Sequence, residues 1–334
     1  MSRWVCLCLA VLFLLALAPA AAADGVGPFV QQGGTGVVSR DGSTRFVAVP
    51  ANSNLDTVLE AVSTKDGTLR AWQNIAGSYG IPTVTYAAGG NSLSPDGRTL
   101  VLADTLGGSP SDFLVYDTRK LSLKNWVTLR GAFTFDALSP DAKRLYLIQY
   151  TRARSGDFAH YVVRAYDLRR NRLLPGRIAD RAQKSWVMNG FPVTRTTSAD
   201  GRWVYTLYQN GGKGYPFVHA LDTVRGVAHC IGLPISNGAL YNLVLSLHGG
   251  TLAVHWRSGR PFLNVSTADW RLTYVHGGFP WLWFELGGAS LLAAASLLVL
   301  LRRRHRRRRE LEQELAELLR DPEREEGTLL ARPV

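Results

Sequence analysis

The side chains with the clearest capacity for chemistry are basic residues concentrated in the middle of the chain. The protein carries 38 Lys and Arg against 26 Asp and Glu, a formal net charge of +12. Arginine pairs with carboxylates and phosphates through two parallel hydrogen bonds, so a group of arginines suits an anionic partner. A solvated basic face explains the same residues without a ligand, because net charge also governs solubility. Both interpretations stay open, and the candidate surface for an anionic partner comprises Arg152, Arg154, Arg164, Arg169, Arg170, Arg172, Arg177 and Arg181.

Histidines, carboxylates and cysteine are the residues that would carry catalysis or bind a metal. No two histidines combine metal-ligand spacing with a neighbouring carboxylate. Only His248 and His255, separated by a turn and a short strand, are candidates to meet in space. There is no Gly-x-Ser-x-Gly nucleophile motif, and Cys230 lies in an apolar segment typical of a buried, inert thiol. The sequence therefore predicts no catalytic residues, no metal site and no cofactor.

A recurring turn organises the segment that carries these side chains. Ser94–Gly97 reads Ser-Pro-Asp-Gly and precedes a short apolar strand. Proline presets φ at the second position of such a turn, and glycine accepts a positive φ at the fourth without steric cost. Self-similarity of this kind indicates stacked supersecondary units. Copies of differing strength begin at Ser39, Ser94, Ser139, Ser198 and Ser246.

A second motif follows each turn, namely an apolar run that ends in aspartate. We expect each aspartate to cap its own turn by accepting hydrogen bonds from the backbone two residues on. The repeat spans about 50 residues and holds four predicted strands, which is the content of a propeller blade. The aspartates are Asp66, Asp117, Asp167, Asp222 and Asp269.

These units resemble the Ser-Pro-Asp-Gly repeats of bacterial WD40-like β-propellers, the kind found in TolB-like and YVTN-type proteins. The resemblance covers residues 25–278 and implies a ring of antiparallel blades, while its motifs say little about function. The predicted fold is all-β, a β-propeller of about five to seven four-stranded blades followed by a single transmembrane helix. Residues 27–30 are expected to form an outer strand that closes the ring on the last blade.

Residues 1–23 have the features of a secretory signal peptide. Arg3 precedes an apolar run that is short for a membrane span, and small residues precede Asp24. An uncleaved N-terminal anchor is the alternative. If the signal is removed, Cys6 and Cys8 leave with it, so Cys230 remains alone and no intramolecular disulfide forms.

Residues 279–301 predict a transmembrane helix. Glu285 is their only charged residue, and a helix of this length spans roughly 30 Å, the hydrocarbon thickness of a bilayer. The basic block that follows predicts a cytoplasmic C-terminus, with a short helical tail completing residues 302–334 and an extracytoplasmic propeller at 24–278. The residues expected to contact anionic lipid headgroups are Arg302, Arg303, Arg304, Arg306, Arg307, Arg308 and Arg309.

Three function classes agree with this organisation. The first is a membrane-tethered cell-surface propeller that acts as a non-catalytic binding or assembly platform for an anionic envelope polymer or a protein. The second is an envelope enzyme, such as a metal-dependent, lactonase-like hydrolase, with its site at the propeller axis. The third is a single-pass sensor. The absence of a catalytic motif favours the first class, and the extracytoplasmic location excludes nucleic acid as an expected partner.

Overall fold

The computed structural model describes residues 29–85, 92–107, 109–151, 160–180, 182, 188, 190–210 and 215–275. In this part of the chain five antiparallel sheets follow one another, each containing four consecutive strands, and one of them gains a fifth strand from the N-terminal side. Repetition of a four-stranded antiparallel sheet is the architecture of a β-propeller, and each sheet is one blade. The five blades agree with the lower end of the predicted range.

The first two blades occupy residues 37–129. A separate short strand, β1 (Phe29–Gln31), precedes them. Blade 1 consists of β2 (Val37–Val38), β3 (Thr44–Ala51), β4 (Asp56–Ser63) and β5 (Leu69–Ala76), with a 3-10 segment at Asn52–Asn54. Blade 2 consists of β6 (Tyr79–Thr83), β7 (Thr99–Asp104), β8 (Ser111–Asp117) and β9 (Ser122–Leu129).

The other three blades occupy residues 133–274. Blade 3 consists of β10 (Phe133–Leu138), β11 (Arg144–Thr151), β12 (His160–Asp167) and β13 (Arg172–Leu173). Blade 4 consists of β14 (Phe191–Thr197), β15 (Trp203–Gln209), β16 (Phe217–Asp222) and β17 (Val227–Gly232). Blade 5 follows a 3-10 segment (Asn237–Asn242) and consists of β18 (Leu243–His248), β19 (Thr251–Trp256), β20 (Pro261–Ser266) and β21 (Leu272–Tyr274).

The hydrophobic core lies between the blades, and the second strand of a blade serves two cores at once. In β11, Leu145 and Leu147 pack in the cluster shared with blade 2, whereas Tyr146 and Ile148 pack in the cluster shared with blade 4. Successive side chains of a strand point to opposite faces, so a strand covered on both faces needs an unbroken apolar run. This requirement explains why the repeats contain such runs.

The predicted turn has one geometry in blades 1 to 4. In the blade 2 copy, the Ser94 hydroxyl donates to Asp96 at 2.6 Å, and the Arg98 amide donates to the same carboxylate at 3.0 Å. The Thr99 amide donates to Ser94 Oγ at 2.9 Å. Blades 1, 3 and 4 repeat all three bonds. In blade 5, His248 pairs with Thr251, which makes a two-residue hairpin loop without the aspartate.

The prediction for the N-terminal strand was wrong. Phe29–Gln31 pairs antiparallel with β6 of blade 2 and not with the last blade. Because β6 is the first strand of blade 2 and pairs with β7 on one side only, its other edge is open, and β1 covers that edge. A free strand edge presents unpaired backbone groups that can pair with another strand. No turn connects β1 directly to its partner, so the strand with which it pairs depends on which edge the rest of the fold leaves open.

Within the described residues no helix is both long enough and apolar enough to cross a membrane. The predicted transmembrane segment at 279–301, the basic block after it and the predicted signal peptide at 1–23 lie outside those residues. They stay predictions.

Candidate functional site

One end of the propeller gathers two turns from every blade. The first turn joins the first and second strands of a blade, and the second turn joins the third and fourth. A backbone hydrogen bond of 2.8–3.1 Å connects the two turns in each blade, and we call this end of the molecule the turn end. The five amides and their acceptor carbonyls are Thr64 to Ser43, Thr118 to Arg98, Leu168 to Lys143, Thr223 to Arg202 and Thr267 to Gly250.

The aspartates of the turn end are occupied by their own turns. The Ser39 hydroxyl and the Ser43 amide hydrogen-bond to Asp41, and these bonds lower the pKa of its carboxyl to about 2. The second-turn aspartates cap their turns as predicted, for example Asp167, which accepts from the amides of Arg169 and Arg170 at 3.0 Å. These carboxylates therefore stay ionised and shape the backbone that carries the neighbouring basic side chains.

A basic groove lies at the turn end between blades 1 and 2, and we call it groove 1/2. Its volume is about 810 Å³. Arg70 is held at one side because its guanidinium donates to Thr44 Oγ1 at 3.0 Å and to Ser63 Oγ at 3.2 Å. The charged lining consists of four cations and two carboxylates, namely Arg40, Arg70, Arg98, Arg119, Asp41 and Asp96.

A second basic groove lies at the turn end between blades 3 and 4, and we call it groove 3/4. Its volume is about 530 Å³. Arg144 reaches across the interface and donates to the Val224 carbonyl at 3.0 Å, and Lys143 lies 3.0 Å from Asp141. Again four cations face two carboxylates, and the charged lining is Lys143, Arg144, Arg169, Arg170, Asp141 and Asp167.

The predicted anionic surface is therefore divided by the fold. Arg169 and Arg170 line groove 3/4, and Arg172 and Arg177 are exposed. Arg164 is not a surface residue of this kind, because it donates to Gln149 Oε1 at 2.7 Å and to the Leu174 carbonyl at 3.0 Å within blade 3. Arg152, Arg154 and Arg181 lie outside the described residues.

Sequence reasoning missed groove 1/2 completely. Its cations are spread over two repeats, and no local run of charge marks them. A signal was present in the motif itself, because a basic residue follows the turn in Asp96-Gly97-Arg98 and again in Asp117-Thr118-Arg119. Each repeat that carries both features delivers cations to the same end of its blade.

A buried ion pair joins blades 3 and 4 away from the grooves. Arg195 on β14 donates both to the carboxylate and to the carbonyl of Asp136 on β10. The two side chains are 3% and 2% exposed, and Arg195 Nε also donates to Thr206 Oγ1 at 2.9 Å. Asp136 occupies the register shift between Phe135 and Ala137, where the strand leaves it unpaired. This pair was also missed, although each residue lies three positions before its turn serine.

Two tyrosines and a histidine lie close enough to the pair for the charge of Asp136 to act on them. Tyr208 lies between Tyr161 and His219, at ring-centroid distances of 5.7 Å and 6.3 Å. Burial raises the pKa of both tyrosines far above the usual range, and the negative charge of Asp136 adds to the effect. Burial also lowers the pKa of His219 to about 4, so its imidazole is neutral at pH 7. The Asp136 carboxylate opposes that decrease and Arg195 adds to it.

The candidate catalytic and metal residues do not come together. His248 and His255 lie at opposite ends of the β18–β19 hairpin, four residue steps or roughly 13 Å apart along a strand. Burial raises the pKa of the Cys230 thiol to about 12, as an unreactive cysteine requires. Among the described residues no three His, Cys, Asp or Glu side chains are grouped to hold a metal ion.

No family model and no curated protein match this chain. Similar solved structures include hydrazine synthase from Kuenenia stuttgartiensis, at 15% identity and a TM-score of 0.42, covering 78% of this chain and 68% of that one. TolB from Acinetobacter baumannii shares 15% identity with a TM-score of 0.38, and the match covers 74% of this chain and 55% of TolB. The β-propeller domain of the Trilobed protease from Pyrococcus furiosus shares 8% identity with a TM-score of 0.42, covering 75% and 71%. These likenesses assign no function to the chain.

Proposed function

We propose that this protein is a non-catalytic binding platform that holds an anionic component of the cell envelope at its turn end. The proposal rests on the recurrence of one basic groove at two blade interfaces, each with four cations and two carboxylates. The carboxylates already accept hydrogen bonds from their own turns. Three of the eight cations, Arg98, Lys143 and Arg170, also pair with Asp96, Asp141 and Asp167, so each groove keeps an excess of two positive charges for a ligand. Such a field attracts anions over a distance of about a Debye length.

In the same proposal the propeller lies outside the cytoplasm and residues 279–301 tether it to the membrane. The block Arg302–Arg309 then fixes the orientation and gathers anionic lipid, which the sequence supports through its position directly after the apolar stretch. Protease added to intact cells is expected to digest residues 24–278 and to spare the tail. Protection of the propeller from external protease would exclude this orientation.

Binding is tested by the retention of the purified chain on an immobilised polyanion during a salt gradient. The double variant Arg119→Gln/Arg169→Gln removes one exposed cation from each groove. Arg130→Gln/Arg257→Gln is the matched control, because it removes the same charge from the opposite end of the blades. We expect only the turn-end variant to elute at clearly lower salt. Equal elution of the two variants would show that net charge alone causes retention.

A further inference from the structure

The two grooves point to the shape of the ligand. We infer that the ligand is a linear polyanion that lies across the turn end and occupies groove 1/2 and groove 3/4 at the same time. This inference rests on the proposed function. The anionic groups are phosphates or carboxylates repeated along one chain.

The two grooves lie at equivalent interfaces between successive blades. Each one is formed where the first turn of one blade faces the second turn of the next. In groove 1/2 these turns contribute Arg40 and Arg119, and in groove 3/4 they contribute Lys143, Thr223 and Val224. The two turns of every blade are hydrogen-bonded to one another and therefore lie at the same end of the blade. Both grooves are lined by residues of these turns, so both lie at the turn end.

A depression lies between the residues of the two grooves. It has a volume of about 290 Å³ and is formed by turns of blades 1, 2 and 4, with Leu138 from blade 3. Arg40 and Pro95 line both the depression and groove 1/2. On the other side, the carbonyl of Gly201 in the depression accepts a hydrogen bond at 3.0 Å from Thr223, which lines groove 3/4. The residues of the depression are therefore in contact with those of both grooves.

Positive charge is concentrated in the two grooves and is sparse in the depression between them. The grooves are rich in cations, whereas the depression is lined mainly by small and apolar residues, including Val37, Pro95 and Ala199, with Arg40 as its cation. A compact anion would satisfy one groove and leave the other empty. A chain with charges along its length meets cations in both grooves, and its uncharged atoms pass over the apolar depression.

Joining two sites on one ligand makes the second contact intramolecular. Linked sites of this kind exceed the affinity of either site by about a hundredfold or more when the linker spans them. The inference therefore predicts a gain in affinity on lengthening the ligand that is far larger than the gain from added charge alone.

The test uses the full chain and a series of ligands by isothermal titration at fixed ionic strength. The ligands are orthophosphate, triphosphate and longer linear polyphosphates of defined length, with polyglutamates of matched charge as a second arm. Arg98→Gln/Arg119→Gln disables groove 1/2, Lys143→Gln/Arg169→Gln disables groove 3/4, and Arg130→Gln/Arg257→Gln is the control. Thermal unfolding of every variant checks that it is folded.

We expect the affinity of the unmodified chain to rise about a hundredfold or more once the ligand spans both grooves. Each single-groove variant should lose this gain and bind long and short ligands alike, while the control keeps it. A gain in the phosphate arm, the carboxylate arm or both identifies the anionic group. Binding of triphosphate without any gain from length would overturn the bridging inference and leave the proposed function in place. No binding of any anion would overturn the proposed function itself.

Discussion

At the scale of single residues, the buried Asp136–Arg195 pair carries a large desolvation cost. Both side chains are almost fully buried, and the second carboxylate oxygen of Asp136 has no hydrogen-bond partner among the described residues. Removing two charges from water is expensive, so a pair of this kind contributes little net stability. Removing one of the two side chains is strongly destabilising, because the remaining charge is then buried without a partner.

We therefore expect Asp136→Ala or Arg195→Ala to lower the free energy of unfolding by about 3–5 kcal/mol. The double variant should cost less than the sum of the single variants, because it leaves no isolated charge. Urea unfolding measures all three. Arg271→Ala is the control, since its partner Asp269 is 3.8 Å away and both side chains are largely exposed, so a cost within about 1 kcal/mol is expected. A loss of unfolding free energy for Asp136→Ala as small as that for Arg271→Ala would contradict the buried geometry.

His219 makes the stability of the protein depend on pH. Its pKa is about 4 in the folded protein and about 6.5 when unfolded, so the unfolded chain binds the proton more tightly between these values. Stability is then complete above pH 6.5 and decreases as the pH falls towards 4, by about 3 kcal/mol in all. The groups that act on its charge are Asp136, Asp180 and Arg195.

The variant His219→Gln isolates this effect because it removes the ionisable group and keeps a polar side chain. We expect the difference in unfolding free energy between the unmodified protein and the variant to change across pH 4–6.5 and to be constant above it. Titrations of the other histidines and the carboxylates cancel in this difference. A constant difference across the whole range would mean that folding leaves the pKa of His219 unchanged.

At the scale of the strands and turns, four Ser-x-Asp turns with the same hydrogen bonds differ in how tightly they are packed. Gly97 and Gly201 occupy the same turn position with φ of 69° and 73°. A Cβ atom at Gly97 would have its nearest neighbour at 4.0 Å, whereas a Cβ at Gly201 would lie 2.2 Å from Pro95 Cγ. The same position in blade 3 is Ala142, at φ of 52°.

These positions form a matched series for thermal unfolding. Gly97→Ala should cost about 1 kcal/mol, the price of a positive φ alone. Gly201→Ala should cost clearly more, because the turns of blades 2 and 4 must also separate. Ala142→Gly should be neutral or stabilising, since it relieves the strained φ. Equal effects of Gly97→Ala and Gly201→Ala would contradict the contact between these two turns.

The parts of the fold that were predicted from sequence are those set by local chemistry. Serine, aspartate and glycine at fixed spacing specify the turns, and an apolar run before Asp117 or Asp167 specifies a strand and its end. The pairing of β1 with β6 was not predicted, because it depends on which strand edge the rest of the fold leaves open. Of the candidate site, the arginines of groove 3/4 were predicted from the sequence and the cations of groove 1/2 were not. Arg169 and Arg170 are adjacent in sequence, whereas Arg40 and Arg119 come together only when blades 1 and 2 pack.

At the scale of the whole molecule, the apolar cores and the basic grooves occupy different parts of the five blades. The interiors between blades hold the apolar clusters and the buried pair, and the turn end holds the cations of the two grooves. In a repeat protein one motif delivers the same side-chain type to the same end of every unit, so a charged surface grows with the number of repeats. The proposed tether at 279–301 would hold the propeller at the membrane.

Hydrogen–deuterium exchange of the full chain, with and without a long polyphosphate, tests the location of the binding surface most directly. We predict slower exchange in peptides that contain the turns of blades 1 to 4, including residues 39–44, 94–99 and 139–144. The connections at the opposite end, such as residues 104–107 and 130–132, should exchange at unchanged rates. Protection confined to the opposite end, or spread equally over both ends, would contradict the assignment of the turn end as the binding surface.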